Sequence, residues 1–295
     1  MDLATLLPLA IKASILLTVF GLGLNAEWRD ALFLTRRPSL LLRSVLSMNV
    51  LMPLLAAGVV VAFDMPDSVE VALVALMVSP VPPILPNKEL RAGGHASYAI
   101  GLLVAIAVLA IVFVPVTVSI FTLAFDRNGG IAPLTVAQGV LTSILAPLGA
   151  GMAVRHWRPA VAQKCAGAAV KAGMVLLVAS ALPLLIASWP EARDMIGDGN
   201  VLLLAAMAAM GLAIGHGLGG PVAEDRTVLA LSTASRHPAI ALAIAVSGGA
   251  AAKPQLAAIL LYTLVAGLVS IPYVFWRKRR PAHVAPVTNP GRSVE

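Results

Sequence analysis

Charge, cysteine and aromatic side chains are all scarce in this chain. Charged residues make up only 12% of the 295, and hydrophobic residues 59%. An average soluble domain is about 25% charged and about 45–50% apolar. Mean hydropathy is +0.91. A water-soluble fold has too little interior to hide that much hydrocarbon surface. A bilayer can take it, since a spanning helix needs about 20 largely apolar residues. The single cysteine, Cys165, excludes a disulfide framework and any multi-cysteine metal site. Aromatic residues make up only 5%. Acidic residues are fewer than basic ones, 14 against 21, for a net charge of +7. That balance can mark a nucleic-acid binder. Here, however, the basic residues lie in short connections between apolar runs and in one run, Arg277-Lys278-Arg279-Arg280. Membrane proteins set their orientation this way, so the expected partner is the lipid bilayer and not nucleic acid. The motifs His-Glu-x-x-His, Gly-x-Gly-Asp and Gly-x-Ser-x-Gly are also missing, and no enzyme is expected.

What is present is a series of nine apolar spans, at 5–25, 40–63, 67–92, 95–124, 131–154, 164–188, 200–219, 223–248 and 254–276. They describe an all-α polytopic membrane protein with a single transmembrane domain over residues 1–280. Residues 281–295 are polar and Pro-containing and read as a disordered cytoplasmic tail. The first span reads as a permanent helix, because Asp2 stands where a cleaved leader carries basic residues. The connections after spans 1, 3, 5 and 7 hold Arg29, Arg36, Arg37, Arg91, Arg155, Arg158, Lys164 and Arg226. The opposite connections hold Arg127, Arg193 and Lys253. The positive-inside rule puts the N-terminus outside and the C-terminus in the cytoplasm, as an odd number of spans requires. The expected location is a bacterial inner membrane.

The two halves of the chain echo each other. Ala10-Ile11-Lys12-Ala13-Ser14 returns as Ala169-Val170-Lys171-Ala172-Gly173, at an offset of 159. Pro83 is matched by Pro238 and Gly93-Gly94 by Gly248-Gly249, both at an offset of 155. Val114-Pro115-Val116 is echoed by Ile271-Pro272-Tyr273. This pairs spans 1–4 with spans 6–9. A step of five spans reverses direction, so the repeat is inverted. Inverted repeats recur in secondary transporters.

Two spans are interrupted at matching places. The third contains Ser79-Pro80-Val81-Pro82-Pro83-Ile84-Leu85-Pro86-Asn87-Lys88, and four prolines so close together cannot sit in a continuous helix. The eighth contains Ser232-Thr233-Ala234-Ser235-Arg236-His237-Pro238, with Pro238 expected to break it. Backbone groups freed at such breaks must face protein or water, and a matched pair of broken helices points to a transport site.

At these breaks the chain resembles the bile acid/sodium symporter family. Members carry Pro-Gly-Gly-x-x-Ser-Asn and, a short stretch later, a Gly that starts the next helix. Pro80 and Gly94 stand at that spacing. Their second motif is Glu-x-Gly-x-Gln-Asn, and Ser232 to His237 occupies its place, followed by Pro238-Ala239-Ile240-Ala241. The resemblance implies a core domain crossed by the broken helices (spans 2–4 and 7–9). It also implies a panel domain of spans 1, 5 and 6 that moves against that core. In the family the motif Glu and Gln, and the Ser-Asn pair, help bind sodium. Here they are replaced by Ser232, Arg236 and Leu85-Pro86, and Ala99 to Val114 offers no Ser or Thr. Sodium coupling is therefore expected to be absent, unless backbone carbonyls build the ion site.

The candidate substrate- or ion-binding residues are Pro83, Asn87, Lys88, Ser232, Thr233, Ser235, Arg236 and His237. Arg236 has three readings: a fixed charge in place of a sodium ion, a fork for an anionic substrate, or a strut satisfied by freed carbonyls. His237 is either a carrier of a coupling proton or a neutral core histidine. Lys88 faces the site or pairs locally with Glu89. Glu224 and Asp225 read as partners of a helix dipole. Lys12 and Lys171 read as snorkelling helix-end residues. The expected ligand is a small organic anion, with no cofactor and a proton or no ion as the coupling partner. A non-translocating sensor with a transporter fold is the alternative of another class.

Overall fold

The computed structural model describes residues 3–125, 133–196, 199–247 and 252–279. Gly248-Gly249, Asp2, Arg127, Arg280 and the tail at 281–295 lie outside them. All regular structure among the described residues is helical. We number the membrane helices α1 (Leu3–Asn25), α2 (Pro38–Ala62), α3 (Asp67–Val78), α4 (Leu85–Arg91), α5 (Ala96–Ala124) and α6 (Leu134–Trp157). They continue as α7 (Pro159–Ala187), α8 (Asn200–Leu218), α9 (Ala223–Ala234), α10 (Pro238–Ser247) and α11 (Ala252–Lys278). Within the described residues seven helices, or in one case a helix pair, are long and apolar enough to cross a membrane, and a shorter apolar stretch covers Leu9–Asn25. The third span is the pair α3–α4 and the eighth the pair α9–α10.

Proline shapes these elements in three ways. Pro80, Pro82 and Pro83 occupy the gap between α3 and α4, while Pro86 sits in the first turn of α4 where its missing N–H is harmless. Pro238 corrects the expectation from sequence. It does not break a helix but opens α10 as its first residue, after α9 has already ended at Ala234. Pro53 and Pro147 each follow a short π-helical turn, Leu46–Leu51 in α2 and Leu141–Leu145 in α6. A proline removes one rung of the hydrogen-bond ladder and crowds the preceding turn, which widens it.

Packing repeats the sequence repeat. Helix α3 lies against α10 and α11, and α9 lies against α4 and α5. Likewise α2 packs on α3 as α8 does on α9, and α4 on α5 as α10 does on α11. Each contact thus has its mate under exchange of the halves. The first half of each broken helix lies beside the second half of the other, so the two run in opposite directions.

Glycine lets these helices approach closely. On α8 and at its C-terminal cap, a Cβ at Gly211, Gly215 or Gly219 would meet backbone atoms of α9 at 2.9, 2.5 and 2.4 Å. This is the small-residue spacing that membrane helices use for tight contact. Helices α1, α6 and α7 make a second group. There Gly23 and Gly151 face each other, and Gly173 sits on Thr18.

Candidate functional site

The two breaks meet. The backbone N–H of His237 donates to the carbonyl of Pro80 at 2.9 Å and also approaches the Ser79 hydroxyl at 3.2 Å. Both groups would otherwise be unpaired, since each lies where a helix ladder is interrupted. Tyr262 of α11 adds a hydrogen bond to the carbonyl of Ala234, the last residue of α9, at 3.1 Å.

Arg236 lies in the same gap, only 4% exposed. Its Nη1 donates to the Ser79 carbonyl at 3.3 Å and its Nη2 to the Met48 carbonyl at 3.1 Å. Met48 belongs to the π turn of α2, whose widened geometry leaves that carbonyl available. The guanidinium thus bridges three spans. Its Nε is buried without a hydrogen-bond partner among the described residues. Nor does any described carboxylate lie within ion-pair distance of it.

His237 is 2% exposed. Its Nδ1 accepts a long hydrogen bond from the N–H of Ile240 at 3.4 Å, which places the ring proton on Nε2, and Nε2 is buried and unpartnered. Asn87 is in the first turns of α4, with a buried Nδ2 that also lacks a partner. Pro83 is buried in the first gap and Ser235 half-buried in the second. Lys88 is half-buried beside Glu89.

The hydroxyls divide by role. Thr233 donates to the Leu229 carbonyl at 2.7 Å and receives the Ser47 hydroxyl at 2.7 Å, which ties α9 to the π turn. Ser232 donates to Glu89 Oε1 at 2.5 Å. Ser232, Thr233, Arg236 and His237 are all below 5% exposed, so the junction is shut to solvent in this conformation.

Besides Ser47, Ser79 and Tyr262, three further participants were not among the sequence candidates. Glu89 is 1% exposed, and a carboxyl inside an apolar span was itself a signal. Its neighbours Lys88 and Arg91 made it resemble a local surface cluster. Met48 acts through its carbonyl, which no side-chain motif reveals. Asn49, next to it, has a buried, unpartnered Oδ1. Asp225 also departs from expectation. It lies in the first turn of α9, as a dipole partner should, but it pairs with His95 Nδ1 at 3.0 Å and Arg37 Nη1 at 3.9 Å. It therefore links the start of α9 to the start of α5. A cavity of about 430 Å³ lies away from both breaks, between the segment that follows α1 and helices α6 and α7, and is lined by Glu27, Arg29, Arg155 and Gln163 among others.

A family model described as the Sodium Bile acid symporter family matches residues 13–188, more than half of the chain. The match takes in the first break and ends ahead of the second. No curated protein matches the sequence.

Proposed function

The chain belongs to the sodium bile acid symporter family, a family of membrane transporters, and we infer that this member carries a small organic anion by alternating access without sodium. One observation carries the reading. A buried guanidinium with no carboxylate partner among the described residues stands where two broken helices meet, and His237 Nε2 and Asn87 Nδ2 are buried N–H donors also without a partner among them. An uncompensated buried charge is expensive. Arg236 Nε, His237 Nε2 and Asn87 Nδ2 all present hydrogen and no lone pair, and a carboxylate or sulfate supplies acceptor oxygens and the missing negative charge. The planar fork of Arg suits both anions.

The same geometry weighs against sodium. A cation site made of backbone alone needs free carbonyls at the breaks. The carbonyls of Ser79 and Met48 are taken by Arg236, that of Pro80 by His237, and that of Ala234 by Tyr262. A permanent positive charge nearby repels a mobile one. In this reading α1, α6 and α7 form the panel, and α2–α5 with α8–α11 form the core that carries the ligand past it.

Melting of the purified protein in detergent tests the reading. Pyruvate, pantoate and taurocholate are added in turn, in sodium or in potassium buffer. At least one anion is expected to raise the melting temperature equally in both. Stabilisation seen only in sodium contradicts the proposal.

A further inference from the structure

Two carboxyl groups are buried among the described residues, Glu89 and Asp225, and they are held differently. Asp225 has a basic partner on two sides, His95 and Arg37. Glu89 has no basic group within ion-pair distance among the described residues, and its side-chain partner is the hydroxyl of Ser232 at 2.5 Å. A lone carboxylate shut away from water costs several kcal/mol. Such a position is poor for a permanent negative charge and suited to a proton that comes and goes. Ionisable groups inside membrane spans commonly serve as proton relays.

We propose that Glu89 is the proton-carrying residue of this transporter, with Ser232 as the hydroxyl that links it to the ligand site. Three features of the fold support this. First, Glu89 lies on α4 just after the first break and Ser232 in the last turn of α9 just before the second, so their bond closes the junction of the two halves. Second, the stretch from Ser232 to His237 carries the hydroxyl at one end and Arg236 with His237 at the other. A ligand that moves this gap moves the partner of Glu89. Third, the backbone after Glu89 is built to hold it there. The carbonyl of Glu89 accepts from Ala92 N at 3.0 Å and Gly94 N at 2.9 Å, with Gly93 at a φ of +81°. A Cβ on Gly94 would stand 2.8 Å from the Val228 Cγ2 of α9 and 2.9 Å from the Glu89 carbonyl oxygen, so a larger residue would have to displace one of them.

Helix α4 packs against α5 and α9. The charged or titratable groups on these elements are Lys88 and Arg91 on α4, His95 and Tyr98 at the start of α5, and Glu224, Asp225 and Arg226 at the start of α9, where Asp225 is paired with His95. The step is balanced. A carboxylate takes one proton on one side of the membrane, becomes a carboxylic acid that can donate to the Ser232 oxygen, and releases the proton on the other side. One proton with one monoanion moves no net charge, while Arg236 keeps its own charge throughout.

The proposal rests on the anion-carrier reading, and the test has two arms that separate the two. In the first, infrared spectra of reconstituted wild-type protein and Glu89→Gln are recorded across a pH titration without any ligand. The wild type is expected to show the carbonyl stretch of a buried carboxylic acid that titrates, and the variant to lack it. In the second, proteoliposomes holding either protein are offered labelled pyruvate, pantoate and taurocholate under an imposed pH gradient. Wild-type accumulation is expected to follow the gradient, and in Glu89→Gln to fall to the level seen without one. The same titrating band in both proteins, or undiminished gradient-driven accumulation in the variant, overturns the proposal. If the band behaves as expected but no probe moves in the wild type, the carrier reading fails and the proton site stands. Should Glu89→Gln not fold, Glu89→Asp replaces it in the first arm. The expected result is then a band displaced in frequency, and an unmoved band overturns the assignment.

Discussion

Arg236 holds its place through bonds to carbonyls on two other spans, and these bonds have a consequence that separates a strut from a ligand site. A strut stabilises the fold and is indifferent to anions. A ligand site loses affinity when the charge is removed. Arg236→Gln is expected to weaken binding of the stabilising anion by about 30-fold or more, the loss of about 2 kcal/mol or more that follows when one partner of a buried charge pair is removed. Titration calorimetry on purified protein measures this. A lower melting temperature with unchanged anion affinity would leave Arg236 as a strut alone. Arg236→Lys is expected to lose affinity too, since a compact ammonium cannot reach Ser79 and Met48 together. At this scale the sequence was half legible. Arg236 and His237 stood out because charge in an apolar span is rare. Ser232 and Thr233 were candidates only through the break beside them. Glu89 was hidden by its neighbours, because adjacent opposite charges such as Lys88-Glu89 usually mark a solvated turn.

The helices record a similar division. Clustered prolines disclosed the third span's gap, since no helix tolerates them. The π turns of α2 and α6 were not legible, because a single proline after an apolar run more often leaves a simple kink or opens a turn. The eighth span was placed rightly but for a shifted reason: α9 stops at Ala234, ahead of Pro238, and that places Ser235 to His237 in the gap. Contact between α8 and α9 offers a direct check on how these elements are held. Gly215→Ala would put a Cβ 2.5 Å from the Leu229 carbonyl oxygen and 2.6 Å from the Ala230 Cα. Backbone cannot step aside as a flexible side chain does, so the helices must part, at a cost of about 1–3 kcal/mol. Gly217→Ala, on the same helix with nothing within 4 Å of its added Cβ, is the control. It is expected to be neutral or to stabilise by up to about 1 kcal/mol, because alanine suits a helix interior better than glycine. Melting temperatures of the two variants in detergent should move in opposite directions, or the first alone should fall. Equal behaviour would mean that α8 and α9 are not packed as described.

For the whole molecule, the exchange of contacts between halves agrees with the weak sequence echo. That echo was readable because its matches kept a common order, though each was slight in an alanine- and valine-rich chain. Orientation is a separate matter, resting on the distribution of Arg and Lys. In a Cys165→Ala background, Arg158→Cys is expected to react with a membrane-impermeant maleimide in inside-out vesicles and not in intact cells. The opposite labelling would invert the topology. The proposed passage of the core past α1, α6 and α7 has no side-chain signature, since the closed junction describes one state and transport needs two.

Uptake into proteoliposomes tests the central claim most directly. Labelled pyruvate, pantoate and taurocholate are each supplied with a sodium gradient, a proton gradient or none, to wild-type protein and to Arg236→Gln. The account predicts that at least one anion enters the wild type at a rate indifferent to sodium, and that this uptake is lost in Arg236→Gln. Uptake driven by the sodium gradient would contradict it, and would mean that oxygens other than the carbonyls held by Arg236, His237 and Tyr262 still build an ion site.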